Sequence, residues 1–599
     1  MCGIFCAIGS NQILNQIFKG LHFLEYRGYD SSGIAFINSK GVMNSFKTLG
    51  GIQNINKRYI NSNFSVNIGI GHTRWGTHGT ISIDNTHPIH NKNIAVVHNG
   101  IIENFQDLKA KLVRWGYDFY TDTDTEVILN MIQYLKDNGH TLLRAIQKLV
   151  IELKGRFAIC ILDTESPDQI YSLKLGLPLI VSDNYISSDI SALGLFENKC
   201  FVLEDGDIAI ISRDNIAQIY NHNALCSRDL VRIQPTIPIE LSDRYQSYMQ
   251  QEIHEQSQIL SKILYDVTSG LWQEHIVKIN WTKLKHIVII GCGSSYNAGM
   301  VAKYWFESIA FLSVEVAVAS EFRFRDIIEN NNTLYVFISQ SGETLDTLIA
   351  LKKVKEKKSL NIALVNTLTS SISRIADYII PIDAGIEQSV AATKSFTAQL
   401  CHLLNIAVYI KYKKNFLTKS QYLHIISCFQ ICNDKIPAIS NKIDPIDNIC
   451  RTISIARNVV FVGRREMYPL ASEGALKLRE LSYLPVHSYP AGELKHGSIS
   501  TIDHKSVVIV LAIPDRTIAK LLSDVEEIKT RGARVIAITS TNIIRSVDYI
   551  YCLDLPKCNN NYYDPVILSI PLQMIALKVA NKLGRNIDRP RNLAKAVTV

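Results

Sequence analysis

The chain has 599 residues, with 63 Lys and Arg against 55 Asp and Glu, a formal net charge of +8. Hydrophobic residues make up 47% and charged residues 20%, a balance that excludes disorder and predicts several packed domains. The basic residues form no block of five or six, which argues against nucleic acid as a partner, and no apolar run reaches the ~18–20 residues that span a bilayer.

The start, Met1-Cys2-Gly3-Ile4, lacks the basic n-region of a secretory signal. None of the 12 cysteines forms a C-x-x-C pair, so neither a zinc ribbon nor a thioredoxin-like motif is expected. Together these features predict a soluble cytoplasmic protein with free thiols, no metal site and no membrane contact. The first 230 or so residues read as short strands with polar turns, such as Ile94–Val97, Phe157–Leu162 and Ile208–Ile211. From Leu241 to about Gln273 the pattern is helical and includes Y-M-Q-Q-E-I-H-E-Q, read as a linker and first helix. Strand–helix alternation follows: His286–Ile290 runs into Gly291-Cys292-Gly293-Ser294-Ser295, and Leu334–Ile338 into Ser339-Gln340-Ser341-Gly342-Glu343-Thr344. Such alternation predicts a mostly parallel sheet covered by helices.

This second region repeats itself. Ile289-Ile290-Gly291 is matched by Phe461-Val462-Gly463, and Ala376-Asp377-Tyr378-Ile379 by Val547-Asp548-Tyr549-Ile550, at offsets of 172 and 171 residues. A period that long marks a duplicated domain, since solenoid repeats run at roughly 20–50 residues. The expected boundaries are 2–217 for an N-terminal module, 218–277 for the linker, 278–418 and 450–589 for the two copies, and 590–599 for a tail.

Cys2 becomes the chain terminus if Met1 is removed. Its α-amine, with a reference pKa near ~7.7–8.0, can then activate its own thiol. Downstream, Thr73-Arg74-Trp75-Gly76-Thr77-His78-Gly79 supplies a guanidinium suited to a carboxylate. His98-Asn99-Gly100 offers an amide and an open backbone N–H, the parts of an oxyanion hole. Asp122-Thr123-Asp124-Thr125-Glu126 places carboxylates where an ammonium could be held.

With R-G-Y-D-S-S-G at Arg27–Gly33, these motifs resemble those of the class II glutamine amidotransferases, in that family's order. The resemblance implies an N-terminal-nucleophile (Ntn) αββα fold with Cys2 as nucleophile and Asn99 and Gly100 as the oxyanion hole. It also implies Arg74 on the glutamine carboxylate, Asp124 on its ammonium, Thr77 and His78 completing the pocket, and Trp75 on a flap. Cys6 departs from the family, which usually has Gly there.

In the duplicated region, two serine-rich turns at adjacent strand ends offer backbone N–H groups and hydroxyls to an anion. Neither carries the G-K-[ST] of a nucleotide-binding loop. The second copy has Gly463-Arg464-Arg465-Glu466 at the equivalent turn, and instead presents Glu473, Lys477 and Glu480 on one helix face. A lysine beside carboxylates on an otherwise apolar helix suggests proton transfer.

These segments, with G-E-L-K-H-G (Gly492–Gly497) and P-R-N-L-A-K at the end, resemble the tandem sugar isomerase (SIS) domains of the glutamine–fructose-6-phosphate aminotransferase family. The resemblance implies two doubly wound α/β domains, with Ser295, Ser339, Gln340, Ser341 and Thr344 holding a phosphate. By the same resemblance Glu480 moves a proton between C1 and C2, Lys477 stabilises the enol oxygen, His496 assists ring opening, and Lys595 forms an imine with the ketose. Val390 and Ala594 line the sugar site through backbone atoms. Ala392 stands where Ser is frequent in the family, and Ser294 where Thr is common.

The combined expectation is a bifunctional α/β enzyme. L-glutamine and D-fructose 6-phosphate are its substrates, L-glutamate and D-glucosamine 6-phosphate its products, with no cofactor and a homodimeric assembly. Ammonia must pass unprotonated between the modules, which calls for an enclosed route gated by Trp75 and the tail. The alternatives are another class II amidotransferase and a non-catalytic sugar-phosphate sensor.

Overall fold

A computed structural model describes residues 2–9, 12–55, 66–213, 216–233, 235, 240–328, 332–441, 444–556 and 561–597. The chain forms two compact units, Met1–Ile239 with Ala596–Val599, and Glu240–Lys595.

In the first unit the strand Gly3–Ile8 lies between Tyr185–Ser187 and Val66–Arg74 in an eight-stranded sheet. Its period of two splits the side chains. Ile4, Cys6 and Ile8 join one core, while Phe5 and Ala7 join another. The first core also receives Ala95, Val97, Ala158, Cys160 and Leu162 from a seven-stranded antiparallel sheet, so the two sheets pack face to face. The helix Ile13–Leu24 covers the outer face of the first sheet through Ile13, Ile17 and Leu21. Three helices, Phe105–Arg114, Thr125–Asp137 and Leu142–Glu152, cover the second. The layers are therefore αββα. The strands Gln218–Asn221, Ala224–Cys226 and Leu230–Arg232 complete these sheets beyond residue 217, where the sequence suggested a boundary. Of these strands only Ile219 is buried, so they carry little hydrophobic alternation to read.

The second unit contains two five-stranded parallel sheets built to one plan. In the first, the order is Ser313–Val318, His286–Gly291, Thr333–Ser339, Asn361–Val365, Tyr378–Pro381. In the second it is Val486–Pro490, Asn458–Gly463, Ser506–Ala512, Arg534–Thr539, Tyr549–Cys552. Each copy ends in a long helix buried along most of its length, Lys394–Lys413 and Asp564–Lys582. The helix Tyr248–Ser269 precedes both copies, with Ser247 capping it through the Gln250 N–H. Among the described residues no helix is long and apolar enough to cross a membrane.

Candidate functional site

In the first unit a cleft is lined by Cys2, Arg74, Trp75, Thr77, His78, Gly100 and Asp124, with His87, His98, Thr123 and Thr125. Cys2 stands at the head of the Gly3–Ile8 strand, where Gly3 pairs with Thr73, and this register brings Arg74 and Trp75 alongside. The Cys2 Sγ accepts from the Trp75 N–H at 3.3 Å and lies 3.5 Å from the Trp75 carbonyl. Burial pushes the thiol pKa up, so its ionisation needs a nearby base. Among the described residues no side chain hydrogen-bonds this sulfur.

Arg74 ends its strand and donates through Nη2 to the His78 carbonyl at 2.5 Å, while Nη1 is buried without a partner. Burial lowers the guanidinium pKa, opposed by Cys2, Asp30 and Asp124. An arginine with one committed and one open arm is suited to a ligand carboxylate. Asp124 is buried and fixed by the Ile102 N–H on Oδ2 at 2.8 Å, and so is placed to take an ammonium.

Asn99 and Gly100 lie within the strand Ile94–Ile102, which runs past the Val97 end read from sequence. Gly100 has φ +119°, and a Cβ there would fall 2.1 Å from the Arg156 carbonyl oxygen, so only glycine fits. Asn99 is buried beside His72. Thr77 sits at the exposed rim of the cleft.

The inner wall of the cleft holds a cluster that no local spacing announces. His87 Nε2 and His98 Nδ1 meet the Thr125 hydroxyl at 2.7 and 3.0 Å, and His72 Nε2 bonds the His98 carbonyl at 3.0 Å. Burial holds all three imidazoles below their ordinary pKa, His72 at about 3, so they are neutral.

In the second unit the serine-rich turns leave adjacent parallel strands, with Ile290 paired to Phe337. Ser339 Oγ accepts from the Gly342 N–H at 3.0 Å and lies 3.0 Å from the Thr344 hydroxyl, closing a tight loop. Gly342, at φ +65°, lets the Ser370 side chain approach where a Cβ would clash at 1.9 Å. Ser341 Oγ accepts from the Glu343 N–H at 3.1 Å. Ser295 opens the helix Gly293–Ser308 and is nearly buried. In the second copy, by contrast, Arg464 at the equivalent turn is paired with Asp524 at 2.5 Å.

The helix Met467–Ser482 docks on the first copy through Glu473, which accepts from Ser294 Oγ and Asn297 Nδ2, each at 2.8 Å. On the same face the buried Lys477 donates to Glu480 at 2.7 Å and lies 3.6 Å from Glu473. Burial works against its charge, but Glu480 and Glu473 outweigh it and raise the Lys477 pKa. Lys477 also senses Glu387, and Glu387 is ion-paired to Lys595. Lys477 and Glu480, neighbours on one helix, and Lys595, far along the sequence, thus belong to one charged cluster. Val390 donates its N–H to the Asp588 carbonyl at 3.1 Å, which ties the loop to the tail carrying Ala594 and Lys595.

Three comparisons bear on this arrangement. A family model described as a SIS domain matches residues 282–408 and 452–581, and one described as a glutamine amidotransferase domain matches 78–173. The glutamine–fructose-6-phosphate aminotransferase [isomerizing] of Buchnera aphidicola subsp. Baizongia pistaciae is 39% identical over the whole of both chains. The Acinetobacter baylyi protein of the same name is 37% identical, again end to end. This chain belongs to the glutamine–fructose-6-phosphate aminotransferase family. The solved C-terminal domain of glucosamine-fructose-6-phosphate aminotransferase from Francisella tularensis is 34% identical, with a TM-score of 0.52, and covers 58% of this chain and 99% of its own.

Among aminotransferases of this family, the chain's departures have visible settings. Cys6 is fully buried in the core between the two sheets, next to Cys160, and is not part of the cleft lining. Ser294 keeps a hydroxyl where Thr is common, and uses it on Glu473. Ala392 is half-buried on the loop after Val390. His496 stands apart: it is exposed on a loop, and its ring makes no hydrogen bond or ion pair among the described residues. Sequence reading missed Glu387, the partner of Lys595, because 208 residues separate the two.

Proposed function

We propose that this chain transfers the amide nitrogen of L-glutamine to D-fructose 6-phosphate, forming L-glutamate and D-glucosamine 6-phosphate, the entry to hexosamine synthesis. The observation that supports it best is the pair of sites on one chain. One is a buried thiol cleft with an open arginine arm and a carboxylate; the other is a hydroxyl-lined loop pair with a buried Lys–Glu cluster.

After Met1 removal the Cys2 amine takes the thiol proton, and the thiolate attacks the glutamine side-chain carbonyl. Arg74 and Asp124 hold the α-carboxylate and α-ammonium; Trp75, Thr77 and His78 enclose the substrate. The tetrahedral oxyanion is met by the Gly100 N–H and the Asn99 amide, and ammonia leaves with the returned proton. Water then releases glutamate from the thioester. In the second unit Ser295, Ser339, Gln340, Ser341 and Thr344 hold the phosphate, and Val390 and Ala594 flank the sugar. Lys595 forms an imine with the open ketose, ammonia displaces it at C2, and Glu480 carries a proton from C1 to C2. Lys477 stabilises the charge that develops on the enol oxygen.

The exposed His496 serves ring opening in the site of a second copy, so the working form is a homodimer in the cytoplasm. Glutamate release measured with and without fructose 6-phosphate tests this reading. Turnover that rises with the sugar and yields glucosamine 6-phosphate supports it. Sugar binding with no glutamine turnover indicates a sensor, and turnover indifferent to the sugar indicates another amidotransferase.

A further inference from the structure

The linker motif Y-M-Q-Q-E-I-H-E-Q has no part in the chemistry above, yet it sits against the sugar site. Glu252, on the helix Tyr248–Ser269, is buried. Its Oε1 accepts from the Gln388 and Ser389 N–H groups at 2.6 and 3.1 Å. Its Oε2 has one hydrogen-bonding neighbour among the described residues, the Thr393 hydroxyl at 3.3 Å. The same hydroxyl lies 3.2 Å from Glu387 Oε1. Glu387 in turn accepts from the Thr393 and Ser395 N–H groups at 2.9 and 3.1 Å, from Ser395 Oγ at 2.7 Å, and from Lys595.

Thr393 has a single hydroxyl hydrogen and faces a carboxyl oxygen on each side. If it donates to Glu387, an ionised Glu252 Oε2 would be buried against an oxygen with no hydrogen between them, a costly arrangement. A proton on Glu252 Oε2 resolves the conflict. The chain then runs in one direction, from the Glu252 acid to Thr393, from Thr393 to Glu387, with Lys595 on the far oxygen.

We propose that Glu252 is a positioning residue that works as a neutral carboxylic acid, donating through Thr393 to hold the Glu387 carboxylate on Lys595. This rests on the reading of Lys595 as the imine-forming amine. The charged groups that bear on Glu252 are Glu387 on the loop, Lys595 on the tail and Lys394 at the start of the next helix. Lys394 is already paired with Glu255 at 2.6 Å, on the same helix as Glu252. The electrostatic setting agrees. Burial, and then the Glu387 charge, raise Glu252 to about 8. Burial would raise Glu387 too, but the Lys595 ammonium holds it down to about 2.

Glutamine at position 252 reproduces the neutral acid: its carbonyl accepts from the two N–H groups and its NH₂ donates to Thr393. The test is the rate of cyanoborohydride trapping with fructose 6-phosphate, without glutamine, on full-length chains across pH. In the wild type, label at Lys595 establishes the imine on its own, and its rate should fall as pH rises through about 8. Glu252→Gln should trap within about threefold of the wild type at its best pH and lack that alkaline fall. Glu252→Ala and Thr393→Val should lose about tenfold or more in rate at similar sugar affinity, and Thr393→Ser should recover most of it. Glu252→Gln as slow as Glu252→Ala, or with the wild-type alkaline fall, overturns the proposal while the Lys595 imine stands. Absence of label at Lys595 in the wild type removes the imine and the role of Glu252 with it. Should Glu252→Ala not fold, the pH profile of Glu252→Gln against the wild type decides.

Discussion

Thr397 and Ser569 meet hydroxyl to hydroxyl at 3.2 Å between the two long buried helices of the second unit, and they are 172 residues apart. The same offset separates the strand-end glycines Gly291 and Gly463. The contact therefore joins equivalent points of the two copies, as a pseudo-twofold relation requires. Duplication of this kind allows division of labour. The first copy keeps the hydroxyl loops, the second fills its own turn with the Arg464–Asp524 pair, and its helix sets Glu473 on Ser294 of the first copy, with Lys477 and Glu480 along the same face.

Gly100→Ala should damage both fold and chemistry, because its Cβ would meet the Arg156 carbonyl at 2.1 Å in a backbone conformation at φ +119°. Thermal unfolding should show a loss of at least about 2 kcal/mol. Glutamine hydrolysis should fall by roughly 100-fold or more as an oxyanion donor is displaced. An alanine enzyme with normal glutaminase activity would remove Gly100 from the oxyanion hole.

A residue retained before Cys2 turns its amine into an amide without a basic lone pair. A non-removable N-terminal tag should abolish glutamate release, and proteolysis to expose Cys2 should restore it. The imidazoles of His72 and His98 are neutral and could in principle serve as bases. However, the Cys2 sulfur is hydrogen-bonded to the Trp75 backbone and to neither ring. Full activity before cleavage would make one of them the base instead.

Glu387→Gln leaves the Lys595 ammonium, 4% exposed, without its ionised partner. Breaking a buried pair this way costs ~3–5 kcal/mol, which calorimetry of the purified chain should show. Isomerisation should fall with it. A variant as stable as the wild type would mean that the pair is solvated.

If His496 serves a neighbouring copy, a His496→Ala chain mixed with a Glu480→Gln chain should recover part of the activity that each lacks alone. Mixed dimers as inactive as their parents would confine His496 to its own chain.

Much of this was legible in the sequence because local pattern and burial agree. The runs Ile94–Val97, Phe157–Leu162 and His286–Ile290 are apolar and short, and each lies inside an observed strand. The spacing of Glu473, Lys477 and Glu480 put them on one helix face, where they are found interacting. What stayed hidden depends on long-range pairing. Glu387 reads as an ordinary loop acid until the tail returns Lys595 to it, and Glu252 reads as one charge on an amphipathic linker until Thr393, 141 residues on, closes against it. The hairpin Gln218–Cys226, with Ile219 its one buried side chain, lacked the alternation that would have extended the first module.

The central claim, that one chain moves the glutamine amide nitrogen onto fructose 6-phosphate, is tested most directly by following that atom. With amide-¹⁵N glutamine and unlabelled ammonium in the buffer, glucosamine 6-phosphate analysed by mass spectrometry should carry ¹⁵N on C2, one for each glutamate released. Labelled ammonia appearing in solution beside unchanged sugar phosphate, or an amino sugar bearing the buffer's unlabelled nitrogen, would contradict it.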